Sequence, residues 1–135
     1  MIELKRETIE IRGLTITVQE ADGRMGTKRS RLMFEAGQAK EAAMKAGEID
    51  EDEWWVRLNI YPPLAAATIE ATGSVSPPFS AEDVMTLPDE VVDAWLSAVW
   101  RVNPHWLGRP DPTVDLNEKK DASPSRAKPM SESAS

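Results

Sequence analysis

The chain has 135 residues, 41% of them hydrophobic, which suits one domain with one modest core. It has no cysteine and a single histidine, His105, so disulfides, thiolate catalysis and cysteine-based metal sites are excluded. A net charge of −7 disfavours general binding to nucleic-acid phosphate, and no apolar stretch is long enough to span a bilayer.

The opening Met1-Ile2-Glu3-Leu4-Lys5 lacks a long apolar run behind a basic start, so no signal peptide is expected. Beyond it, Thr8-Ile9-Glu10-Ile11 and Leu14-Thr15-Ile16-Thr17-Val18 each place an apolar residue at every second position, on either side of Arg12-Gly13. Period-two alternation of β-branched residues around a glycine predicts a hairpin over residues 8–18. A lone hairpin is marginal in water, so helices are expected to cover its apolar face.

A first helix is predicted over residues 27–46, rich in Ala, Lys, Glu and Met, with Leu32, Met33, Ala36, Ala39, Ala43 and Met44 at helical spacing and Gly47 as its stop. Lys28, Arg29 and Arg31 cluster near its start, where the helix dipole disfavours cations. Either the helix begins earlier, or the basic patch serves a partner, or it is a solvated face.

A second helix is predicted over residues 50–72. Asp50-Glu51-Asp52-Glu53 supplies acids for the first turn, and Trp54, Trp55, Leu58, Tyr61 and Leu64 follow at three- and four-residue steps. Pro62-Pro63 removes two donors, so this helix must kink there or stop and restart. The third helical region, residues 80–103, opens on Ser80-Ala81-Glu82-Asp83, a capping box with Asp in place of Glu. A short helix follows, and Pro88 then suits the first turn of a new one. In that helix Val91, Val92, Trp95, Leu96 and Val99 form an amphipathic stripe, and Asn103-Pro104 ends it.

Composition shifts after Leu107. Residues 108–135 hold four prolines, many serines, no aromatic residue and five cations against five acids, so the whole −7 falls on residues 1–107. Such a segment buries too little apolar surface to offset its ordering entropy. The expected organisation is therefore a mainly α fold with a small N-terminal β-hairpin (α+β) over residues 1–107, followed by a disordered tail over 108–135.

No glycine-rich phosphate loop, nucleophile–base pair or ligand cluster emerges, and neither catalytic residue, cofactor nor metal is expected. The five tryptophans all fall between residues 54 and 106. Trp95 lies on the amphipathic stripe and is expected in the core. Trp54 and Trp55 point about 100° apart on a helix, so both cannot face the same way. Exposed aromatics commonly anchor interfaces, and Trp54, Trp55, Tyr61 and Trp100, with Leu58 and Leu64 shaping a groove, are the candidate partner-binding residues. The alternative is that all five indoles fill a small core.

Three pieces in order carry a resemblance: the β-rich start; the middle helix with Tyr61-Pro62-Pro63-Leu64-Ala65-Ala66; and the run Leu87-Pro88-Asp89-Glu90-Val91-Val92-Asp93-Ala94-Trp95-Leu96-Ser97-Ala98-Val99, closing on Asn103-Pro104. Over roughly residues 7–107 the chain resembles the tail assembly chaperones of long-tailed bacteriophages, which are small, acidic and largely helical. The resemblance implies binding to the tape measure protein and to tail tube subunits in the host bacterial cytoplasm, and absence from the mature virion. It also implies, in many families, a longer frameshifted form. Self-association is left open, and no contact with nucleic acid or membrane is expected. A structural minor tail or connector protein retained in the virion is the alternative, followed by a small regulator or enzyme.

Overall fold

The computed structural model describes residues 2–106, and the chain divides into two units, Met1–Pro104 and His105–Ser135. In the second unit only His105 and Trp106 are described, their rings 5.8 Å apart. The tail expected over residues 108–135 lies outside the described residues. The division falls at Pro104, just after the end of the last long helix, rather than after Leu107.

Strands β1 (Arg6–Ile11) and β2 (Leu14–Gln19) pair antiparallel, with Ile9 opposite Ile16 and Ile11 opposite Leu14. Arg12 and Gly13 connect them, both at positive φ (51° and 85°), the backbone that a two-residue hairpin turn requires. Alternation does the rest. Leu14, Ile16 and Val18 are buried, while Thr8 and Thr17 share a 2.8 Å hydrogen bond on the other face.

The sheet has a third strand that the sequence reading missed. β3 (Thr68–Ala71) pairs antiparallel with the free edge of β2, so the order is β1-β2-β3. These residues were expected at the end of the helix over 50–72. Helix propensity there is overruled by β2, whose second edge would otherwise lack partners, and by the β-branched Thr68 and Ile69. Gly73 turns the chain away at φ 94° against the hairpin. A Cβ at that position would lie 2.5 Å from Leu14 Cδ2.

Helix α1 (Gly23–Lys45) begins four residues before the expected start. Asp22 is its N-cap, accepting from the Met25 N–H at 2.8 Å. At the other end the N–H groups of Gly47 and Glu48 reach back to the carbonyls of Met44 and Ala43, and Gly47 adopts φ 77°, a Schellman stop. No residue of α1 is fully buried, so this long helix lies along the flank of the domain.

The second helical region is helical from Glu51 to Ala67, and a new α segment opens with Pro62 and Pro63 in its first turn, the restart expected at the prolines. It runs as α2 (Glu51–Trp55), a π-helical turn (Val56–Ile60) and α3 (Tyr61–Ala67), with Pro62 and Pro63 at the start of α3. A proline ring collides with the carbonyl four residues back, and the wider π turn, closed by the Tyr61 N–H on the Val56 carbonyl, relieves that crowding. Asp50 caps α2, accepting from Asp52 and Glu53.

The capping box at Ser80 and Asp83 forms in both directions and opens α4 (Ala81–Met85). Helix α5 (Asp89–Val102) follows, with Pro88 as N-cap rather than inside its first turn. Its Val91, Trp95, Ala98, Val99 and Val102 are buried, and the helix packs across β1 and β2 on one side and α3 on the other. Val92 and Leu96 flank that stripe, half-buried. The core thus sits between the sheet, α5 and α3, and α1 lies against α3 and the π turn.

Candidate binding groove

Between α1 and the α2–π–α3 segment lies an open groove of about 330 Å³. Leu32, Glu35, Ala36 and Ala39 of α1 form one wall. Trp54, Arg57 and Tyr61 form the facing wall, and Ser80 and Ala81 at the start of α4 close one side. The small side chains of Ala36 and Ala39 fill little of the space between the two walls.

The facing wall is held in place by short-range contacts. Arg57 Nε donates to Glu53 Oε2 at 2.8 Å, and its guanidinium lies 5.7 Å from the Trp54 ring centroid. Tyr61 donates its hydroxyl to the Phe79 carbonyl at 2.9 Å. Tyr61, Phe79 and Trp95 form an aromatic chain, with centroids 5.9 and 5.1 Å apart, that runs from the groove into the core. Burial, and secondarily the charge of Asp83, push the Tyr61 phenol above its ordinary pKa, so it remains a hydrogen-bond donor.

The structure brings together two of the six candidate residues. Trp54 and Tyr61 both line the groove. Trp55 is 63% exposed but points away, about a quarter-turn round α2. Leu58 is half-buried and is not part of the groove wall. Leu64, expected to shape the groove, is instead fully buried in the core, because α3 turns that face toward α5. Trp100 is half-buried on α5, away from the groove. Trp95 lies in the core, as its stripe position predicts. The residues that sequence reasoning missed are Leu32, Ala36 and Ala39. Their helical spacing is visible in the sequence, but nothing in it marks them as one wall of a groove.

Among the described residues no group of three or more His, Asp or Glu side chains could hold a metal ion, and no helix is long and apolar enough to cross a membrane. The groove lining is mainly apolar, with Glu35 and Arg57 as its charged members. No family model, curated protein or solved structure matches this chain.

Proposed function

We propose that this chain is a polypeptide-binding assembly factor, a tail assembly chaperone of a long-tailed bacteriophage or prophage, and that it performs no catalysis. The observation that carries this reading is the open groove walled by Trp54 and Tyr61. One of its lining residues, Tyr61, opens the Tyr61-Pro62-Pro63-Leu64 segment that carries part of the resemblance to those chaperones. An apolar groove between two helices suits an amphipathic helix laying its apolar side chains into it. In this reading the clients are the tape measure protein, whose apolar helical stretches need cover before assembly, and the tail tube protein. The chain then acts in the host bacterial cytoplasm and is left out of the finished particle.

Co-expression tests the proposal. The tape measure protein of the same phage should stay soluble with the wild-type chain and precipitate with an Ala39→Trp variant that fills the groove. Mass spectrometry of purified particles supplies the second arm. Recovery of the chain in stoichiometric amounts from virions would replace this reading with that of a structural tail component.

A further inference from the structure

The α1 wall of the groove extends beyond the groove itself. Along α1, Lys28, Leu32, Glu35 and Ala39 follow at steps of four, three and four residues, which places them on one stripe. Leu32, Glu35 and Ala39 line the groove, and the stripe continues toward the start of the helix through Arg24, Lys28 and Arg31. From Gly23 to Phe34 the helix has no acidic residue. In a chain of net charge −7 this is a concentration of positive charge set against the overall sign. It also stands where a helix dipole favours anions. With α1 starting at Gly23, Arg24 falls in the first turn itself.

These cations are available. Arg24, Lys28 and Arg31 are exposed, and among the described residues neither Arg24 nor Lys28 makes an ion pair. Arg31 pairs with Glu35 at 3.7 Å, with both side chains more than half exposed, a contact that solvent weakens. From Arg24 to Ala39 the stripe runs about 22 Å at 1.5 Å per residue, the length of about four turns of a partner helix.

Resting on the groove as a polypeptide-binding site, we infer that its occupant is an amphipathic helical segment with two or three carboxylates beside an apolar anchor. The anchor enters between Ala36, Ala39, Trp54 and Tyr61, and the carboxylates meet Arg24, Lys28 and Arg31. Charge complementarity of this kind selects among partners and sets their register along the groove. An overall acidic chain that binds an acidic segment is the opposite of what net charge alone suggests.

The test uses the full-length chain and three fluorescein-labelled synthetic 16-residue helical peptides that share one Leu/Phe stripe. They differ in three residues at one end, which are Glu, Gln or Lys. Anisotropy at low salt should show the Glu peptide binding about tenfold more tightly than the Gln peptide and the Lys peptide weakest, with the spread closing at high salt. An Arg24→Glu, Lys28→Glu, Arg31→Glu triple variant, altered only at exposed positions, should reverse that order. Ala39→Trp should weaken all three alike. Equal affinity for the three peptides overturns the acidic-partner inference and leaves the groove standing. If none of the peptides binds, the groove reading itself fails. Sedimentation of the chain alone as a dimer that the triple variant disperses would assign the basic stripe to a second copy and overturn the inference.

Discussion

Trp95 donates its indole N–H to the Thr68 hydroxyl at 2.8 Å, tying the fully buried middle of α5 to the first residue of β3. The bond explains how the α3-to-β3 switch is held at one residue. Thr68 leaves α3 with extended backbone (φ −81°, ψ 122°), and its hydroxyl accepts from the buried indole. Thr68→Val keeps the shape and removes that acceptor. An unsatisfied buried donor costs about 1–3 kcal/mol, so urea unfolding should show a loss of that size with an unchanged m-value.

Asn103 performs a similar task at the other end of α5. Its fully buried side chain accepts from the Ala21 N–H at 2.7 Å and donates to the Gln19 carbonyl at 3.1 Å, joining the end of α5 to the β2–α1 connection. Asn103→Leu strands both backbone groups. We expect destabilisation of about 2–4 kcal/mol, with hydrogen exchange at Ala21 accelerating more than exchange in the middle of α5.

Glu7 on β1 and Arg101 on α5 form a two-pronged ion pair, with Arg101 Nε 2.9 Å from both carboxylate oxygens. The hydrogen bond from Arg101, aided by its charge and opposed by partial burial, holds the Glu7 carboxyl below its ordinary pKa. A carboxylate depressed on folding adds stability above its unfolded pKa and loses it as pH falls through the folded value. Melting temperature should therefore drop on acidification below roughly pH 4.5, and Glu7→Gln should flatten that limb of the curve. Both groups are accessible to solvent, so the effect is small and should shrink in high salt.

Two glycines should respond to alanine in opposite directions. Gly73 sits at φ 94° with the Leu14 side chain where a Cβ would go, so Gly73→Ala should cost about 1–3 kcal/mol. Gly37 lies inside α1 with nothing within 4 Å of a built Cβ, and Gly37→Ala should stabilise by about 0.5–1 kcal/mol. Thermal unfolding of the two variants side by side checks the pair, and a loss of stability in Gly37→Ala would show that the outer face of α1 is not open.

Much of the architecture was legible from nearest neighbours along the chain. The hairpin follows from period-two alternation around Arg12-Gly13, and α5 from the spacing of Val91, Trp95 and Val99. The Ser80–Asp83 box and the Gly47 stop are encoded within a few residues of where they act, because caps and turns satisfy local backbone groups. The missed start of α1 is of the same kind, since Asp22 was a readable cap just ahead of two glycines that obscured it.

Other features depend on what comes to lie alongside. Residues 68–71 have helix-compatible neighbours, and only the open edge of β2 draws them into the sheet. Leu64 and Trp54 are equally apolar in sequence, yet one is buried under α5 and the other walls a groove. Leu32, Ala36 and Ala39 make a stripe like that of any core helix, yet they line an open groove. Periodicity determines which side of an element is apolar. Whether that side is covered or open is settled by chain segments distant in sequence, through packing that no local pattern records.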